Sequence, residues 1–401
     1  MVNCEIQKSI GRGGYNEKKK IAMVLDTEPF CGGGHQYALQ IAQCLQELPA
    51  SEYELVALGK NRFWRKWCRE NHINYFKLGG SDQGPKQMIR NRRFPSFYTI
   101  YNTYKTELGK IVRKEKIDVL FATTPMYLPK VNAKVIMPVH DLMHRYEPSF
   151  PEVKSEYQGR ELVYKFQAKC ADYILTDSKL GKKQFIESYF EKSKKKPHIV
   201  VLPYTVPDHI AGVNEECIEV PERYVFYPAQ FWQHKNHINL IKAIQNLKKD
   251  INEIHLVLVG SEKNYGKEIE KYIIQNGLEN NITIMGFVSN EGITYLYRHA
   301  VGMIMPSYFG PTNIPPLEAM ALGCPVAVSN KYAMPEQVGE AGLLFNPDSP
   351  EEIADCIKRL WTDEKLREQM IKKGYRRVQS WTGEDFKNRV LKVVDKCCGE
   401  D

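Results

Sequence analysis

The stretch Met305 to Ser329 (MPSYFGPTNIPPLEAMALGCPVAVS) limits what this chain can become more than any other. It reads as strand end, tight loop, helix and strand. Val301, Met303, Ile304 and Met305 form the apolar run before it, and Phe309-Gly310-Pro311-Thr312-Asn313 is turn chemistry. Pro315 or Pro316 suits a first helical position, where a missing N–H costs nothing. Leu317, Met320 and Ala321 give a buried stripe, and Gly323 ends the helix as a left-handed cap. Cys324 to Val328 is a short buried strand.

A helix that starts from such a loop offers free backbone N–H groups and a positive dipole end, which suits phosphate or another anion. Glu318 falls in the first turn or just past it. A carboxylate there would not bind phosphate, but it can accept both hydroxyl protons of a vicinal diol. Anion and diol together outline the ribose and diphosphate of a nucleotide. A dipole-stabilised surface Glu on an ordinary core helix fits the same residues.

A chain of 401 residues is comfortable for two domains. No apolar run approaches a membrane span, and the N-terminal segment lacks the apolar core of a signal peptide. Ten Cys without such a peptide imply a reducing compartment, so a cytoplasmic location is expected. Their spacing indicates neither a metal site nor a disulfide framework. Residues 1–200 carry 34 Lys and Arg against 21 Asp and Glu, while the rest carry 22 against 27. A basic first half suits anionic lipid headgroups, a pyrophosphate-linked acceptor or nucleic acid, although for scattered lysines a solvated surface is the commoner case.

Taken in order, Lys20 to Asp26 is a first strand, followed by Gly32-Gly33-Gly34 and an amphipathic helix. Strand, glycine-rich loop and helix form the phosphate-cradling arrangement of doubly wound folds, although the full dinucleotide spacing is missing. Two basic, aromatic stretches follow, Arg62 to Trp67 and Lys86 to Phe94, which suit a membrane interface, a stacking surface or plain surface packing. Neither carries a nucleic-acid module signature, so no nucleic-acid partner is expected. His140 lies just past the strand Lys134 to Val139, where ligand crevices form; a structural His held by Asp141 is the alternative.

Residues 203–222 are rich in Pro and Glu and mark a domain boundary. Tyr224 to Ala229 opens a second strand–helix series. Its loop, Gln230 to His237, carries Lys235 at a helix start, again a phosphate signature. The expected division is 1–205, 206–382, and a final helical segment 383–401. The class is α/β, two domains of alternating strand and helix with parallel sheets and one cleft between them.

At this point the sequence resembles the retaining glycosyltransferases of family 4. The resemblance rests on Tyr227-Pro228-Ala229 with His234-Lys235-Asn236, on Val259-Gly260-Ser261, on Gly286-Phe287-Val288, and on Pro315 to Val326. It runs from about residue 20 to near the end. The Tyr-Pro-Ala-Gln-Phe-Trp run is similar to members that build bacterial surface polysaccharides. The resemblance implies the GT-B architecture, two Rossmann-like domains facing a central cleft. It implies a nucleotide diphosphate sugar as donor, a glycan or lipid-linked hydroxyl as acceptor, no cofactor, and possible contact with an anionic membrane.

By that likeness the catalytic residues are His140, Lys235 and Glu318. Lys235 would bind the donor diphosphate and Glu318 the ribose hydroxyls. The donor set adds Gly34, Gln230, Gly260, Phe287 and the loop residues Gly310, Thr312, Asn313 and Ile314. Gly32 to Gly34 would line the acceptor side, and the last helix would cross back to the first domain.

Two departures stand out. The family pattern has a second glutamate eight positions before Glu318, where this chain has Gly310, or Ser307 if the Phe-Gly pair is aligned. The family often has an Arg where Gln230 stands. His234 and His237, if protonated, would restore some of that charge. No Asp-x-Asp motif occurs, which argues against a metal-dependent transferase. A catalytically degenerate nucleotide-binding partner in a glycan assembly is the alternative that these departures motivate.

Overall fold

A computed structural model describes residues 17–29, 32–79, 95–190, 197–207, 210, 212, 214–310 and 313–399. The first sheet has seven strands in the order β3-β2-β1-β4-β5-β6-β7. These are β1 Lys19–Leu25, β2 Tyr53–Gly59, β3 Asn74–Lys77, β4 Val119–Ala122, β5 Lys134–Val139, β6 Tyr173–Thr176 and β7 His198–Val201. The second has six, in the order β10-β9-β8-β11-β12-β13. They are β8 Val225–Pro228, β9 Leu256–Val259, β10 Ile282–Met285, β11 Gly302–Met305, β12 Val326–Ser329 and β13 Gly342–Phe345. Every recorded pairing is parallel, from Ile21 beside Val119 to Met303 beside Val326. Parallel strands need crossovers, and helices fill them on both faces. Sheets wound in this way form their crevices at the carboxyl ends of the strands.

The helices that matter below are α1 Gly33–Gln46, α2 Arg62–Glu70, α3 Pro95–Lys105, α4 Glu107–Glu115, α5 His237–Leu247, α6 Pro315–Ala321 and α7 Gly383–Gly399. α6 starts at Pro315, and Gly323 takes φ +75°, the left-handed end expected of it. The triple glycine differs from expectation. Gly32 is the N-cap at φ +59°, but Gly33 and Gly34 already belong to α1, so the loop is shorter than its composition implied.

The first basic, aromatic stretch is α2, and its two chemistries separate by face. Trp64 is fully buried and donates its indole N–H to the Thr27 carbonyl at 2.8 Å, while Arg62, Arg65, Lys66 and Arg69 face outwards. The second stretch, Lys86 to Phe94, lies outside the described residues. No helix among the described residues is long and apolar enough to cross a membrane.

The chain crosses between the sheets twice. The first crossing follows β7, and the second precedes α7, whose Phe386, Val390, Val393 and Val394 join the first sheet's core beside Tyr37 and Ile41. Each such burial contributes roughly 1.5–3 kcal/mol, so the returning helix is held by its apolar face. The Trp381 indole N–H donates to the Pro203 carbonyl at 3.0 Å, and Arg389 reaches the Val201 carbonyl while lying over the Trp381 ring. The two crossings are therefore fastened to each other.

Candidate functional site

The strand ends of the two sheets meet. A Cβ on Gly33, at the start of α1, would stand 3.3 Å from Ile314 Cδ1, at the start of α6. Met143, Val153 and Phe309 form a small apolar cluster across the cleft, with Phe150 and Tyr308 against it. Tyr332 OH donates to Glu147 at 2.5 Å, and the Lys179 amide donates to Glu336 at 3.0 Å.

On the second-sheet side, β8 ends at Pro228 and a turn carries Gln233, His234 and Lys235 to α5. Asn236 makes the turn possible by taking φ +59°, with its amide donating to the Pro306 and Pro347 carbonyls. Lys235 is half-buried and its ammonium donates to Asn313 Oδ1 at 3.2 Å. Burial pushes its pKa down to about 8. Glu318 sits in the first turn of α6, and burial pushes its carboxyl up to about 7. Tyr297, fully buried, donates its hydroxyl to Glu318 Oε2 at 2.8 Å. One cation and one carboxylate thus stand at the strand ends, both with pKa values moved towards neutrality, as desolvated functional groups have.

The loop between them is tied down. The Asn313 amide N–H donates to Gln337 Oε1 at 3.0 Å, and Gln337 returns a bond to the Asn313 carbonyl. Pro315 and Pro316 have no N–H. The expectation that this loop presents several free amides is therefore reduced: Asn313 spends its amide internally. Pro311 and Thr312 lie outside the described residues. Gly310 takes φ +112°, a conformation that side chains resist. Ser307, the other candidate for the missing glutamate, is buried and donates to the Phe309 carbonyl at 2.7 Å, so it shapes the loop from within.

Gln230 folds back within its own loop, accepting from the Trp232 indole at 2.9 Å. Gly260 leaves no room for a side chain, since a Cβ would come within 2.2 Å of the Ala229 carbonyl oxygen. Phe287 lies past the end of β10 and is 96% exposed, so the structure brings it to the right edge without engaging it. A Cβ on Gly34 would meet nothing within 4 Å.

His234 and His237 do not meet the condition, protonation, under which they would restore the missing charge. Burial pushes His234 down to about 4 and His237 to about 3, so both are neutral at neutral pH. His234 stacks on Phe309 with ring centroids 4.0 Å apart and donates from Nδ1 to Glu152 of the first sheet's side. Burial alone would raise the Glu152 carboxyl, but the His234 hydrogen bonds outweigh it and bring it to about 2.

On the first-sheet side, His140 lies just past the end of β5. It pairs through Nδ1 with the Tyr204 hydroxyl at 3.2 Å, and its buried Nε2 has no partner. Asp141 does not hold it; that carboxylate accepts from Arg160 and from the Met143 amide at 2.8 Å. Burial pushes His140 down to about 4. Tyr37 stands edge-on to His140 at 5.1 Å. Beside them is a cavity of about 220 Å³ lined by Gln36, Tyr37, Gln40, Tyr204, Thr205 and Ile314. Sequence reasoning missed Tyr37, Gln40 and Tyr204. The signal for Tyr204 was its place in the Pro-rich crossing, read only as a boundary.

Among the described residues, no group of three or more His, Cys, Asp and Glu side chains could hold a metal ion. On the second-sheet side the ionisable groups are Lys235 and Glu318, and Lys235 also feels the carboxylates of Asp141 and Glu152.

Residues 214–377 match the family model described as glycosyl transferases group 1. The chain carries a group 1 glycosyltransferase domain. With that domain and two facing parallel sheets, it is a glycosyltransferase of GT-B architecture. It is 24% identical over 75% of its length to O-antigen chain mannosyltransferase B of Escherichia coli, spanning 80% of that protein. It is 28% identical over 73% of its length to O-antigen chain mannosyltransferase RfbU of Salmonella typhimurium, spanning 80% of that one. In fold it is similar to a glycosyltransferase from Rickettsia africae, with TM-score 0.71 and 16% identity over 96% of this chain and 100% of the other. A structure of Anabaena HepE in complex with UDP superposes with TM-score 0.66 and 15% identity, covering 94% of this chain and 100% of that one.

Proposed function

We propose that this glycosyltransferase moves a hexose from a nucleotide diphosphate sugar to a hydroxyl of a glycan or lipid-linked acceptor, with retention, in building a surface polysaccharide. In this reading residues 1–205 form the acceptor side, 206–382 the donor side, and 383–401 the helix that returns. The observation that carries it is the pairing of Lys235, held on Asn313, with a half-buried Glu318 one loop away. Lys235 meets the diphosphate, Glu318 accepts the ribose hydroxyls, and His140 sits near the transferred sugar.

Breaking the bond from the anomeric carbon to the diphosphate leaves negative charge on phosphate. Lys235 stabilises that charge as it develops, so the reading needs no metal. The acceptor oxygen enters on the face the diphosphate leaves. Its proton passes to the departing phosphate oxygen, so no carboxylate nucleophile is required. The clasp of His234 on Glu152 draws the cleft shut and excludes water. The curated relatives act on O-antigen chains with mannose, which makes GDP-mannose the first donor to try. The work is done in the cytoplasm, at the inner face of a membrane where a lipid-linked acceptor would be presented.

A thermal-shift screen of GDP, UDP and ADP with their common sugar conjugates tests the donor site. One nucleotide should raise the melting temperature at concentrations well above its dissociation constant. Proton NMR of the glycoside formed should show the anomeric configuration of the donor. A shift without any transfer or donor hydrolysis would favour a degenerate nucleotide-binding partner instead. No shift with any nucleotide sinks the donor-site reading.

A further inference from the structure

Helix α3 is amphipathic the wrong way round for a helix on a water-soluble surface. Its inner face is polar. Asn102 is fully buried and donates to the Lys130 carbonyl at 3.0 Å, and the buried Thr103 hydroxyl accepts from the Asn132 amide at 2.9 Å. Its outer face is apolar: Phe97, Ile100, Tyr101 and Tyr104 are 65%, 67%, 45% and 56% exposed. Their spacing of i, i+3, i+4 and i+7 puts them on one stripe. None of the helix's described apolar side chains is buried. Single exposed apolar residues are ordinary, whereas four on one stripe mark a surface that meets something other than water.

We propose that this face of α3 docks on an anionic lipid bilayer. Three observations choose that occupant. First, three of the five aromatic or aliphatic side chains on the helix are Tyr, whose ring and hydroxyl suit the boundary between headgroups and acyl chains. Second, α3 has no acidic residue, and residues 95–116 carry five basic side chains against two acidic ones. Third, the cations lie beside the stripe. Lys105 adjoins Tyr104, and the Arg113 guanidinium of α4 lies over the Tyr104 ring at 4.7 Å. Long basic side chains at the rim of an apolar face reach headgroup phosphates while their stems cover apolar surface. A second copy on the same face would bring like charges together, whereas anionic headgroups neutralise them.

The docking surface deepens the reading of a membrane-borne acceptor, but it is argued from α3 alone and can fail alone. The test is co-sedimentation of the full chain with phosphatidylcholine vesicles, with and without phosphatidylglycerol. Three chains are compared: wild type, Phe97→Ser with Ile100→Ser and Tyr104→Ser, and Lys105→Gln with Arg113→Gln. Wild type should bind the phosphatidylglycerol vesicles in preference to the neutral ones and release them as salt rises. The triple variant should weaken binding by roughly tenfold or more, and the charge variant by several-fold. Both should keep the wild-type melting temperature and nucleotide-induced shift, since the replaced side chains are exposed. Equal binding by wild type and triple variant overturns the proposal. So does indifference of wild type to phosphatidylglycerol, or a wild-type dimer that the triple variant makes monomeric. A nucleotide shift that persists through those failures leaves the donor-site reading standing; loss of the shift in wild type sinks that reading instead.

Discussion

The two walls of the cleft are built from the same strand–helix unit and differ in what they expose to a ligand. The wall from the second sheet presents charge: an ammonium, Lys235, and a carboxylate, Glu318, each moved by burial towards neutral pH. The wall from the first sheet presents rings and neutral polar atoms, His140, Tyr37, Tyr204 and Gln40, and commits its carboxylates to partners, Asp141 to Arg160 and Glu152 to His234. A diphosphate has fixed charge and fixed geometry, so a wall that binds it can be written in a few residues at set positions. An acceptor hydroxyl is uncharged and is recognised by shape, which many residue combinations can supply.

The sharpest way to break this contrast is at Lys235. Lys235→Ala should lower kcat by about 10²–10³-fold, the usual cost of removing one group aimed at developing charge. If steady-state transfer survives with only a change in KM, charge on the leaving group is handled elsewhere.

Glu318 comes next. Glu318→Gln should weaken nucleotide binding by about 1–3 kcal/mol, since the diol hydroxyls lose a charged acceptor. The pH dependence carries the sign. In the proposed reading, protonation of the Glu318 carboxyl below about 7 should cost diol binding, and loss of the Lys235 proton above about 8 should cost the diphosphate its cation. The kcat/KM profile of the free enzyme should peak between those values and fall on both sides. In Glu318→Gln the acidic limb should vanish while the alkaline limb stays. His140, already neutral above about 4, should add no limb in that range.

The smallest effect tests the other wall. Tyr204→Phe removes the hydroxyl bonded to His140 and should raise acceptor KM by about 0.5–1.5 kcal/mol worth of binding. The nucleotide dissociation constant, read by titration calorimetry, should not move. A matching change in both would mean the walls do not divide their work.

The same contrast explains what was legible in the sequence. Lys235, Glu318 and the prolines at the start of α6 could be placed because a strand–loop–helix pattern ties residue type to position. Two edge strands could not. β3, Asn-Tyr-Phe-Lys, alternates too briefly to separate from a loop, and β13 is only Gly342 to Phe345. Both are parallel edge strands fixed by their neighbours, not by their own pattern. The α2 aromatics looked like an exposed sticky surface because spacing alone does not say which face of a short helix is buried. The exposed stripe on α3 was hidden for the converse reason, since an apolar face reads as core until the fold shows it pointing outwards. The first-sheet wall depends on Tyr204 arriving from a crossing segment, a contact separated by 64 residues from His140.

The bond between Trp381 and Pro203 has a mechanical consequence. A body joined to another by one strand can swing, twist and slide. Here two chain segments pass side by side and are pinned together by an indole N–H and by Arg389. Such a pair acts as a hinge with two knuckles, which leaves one easy axis of rotation and resists twist about the crossing and travel along it. The lips of the cleft can part, but when they return, Ile314 must come back to Gly33 and His234 to Glu152. The register of one lip against the other is thus set by the hinge before any ligand arrives.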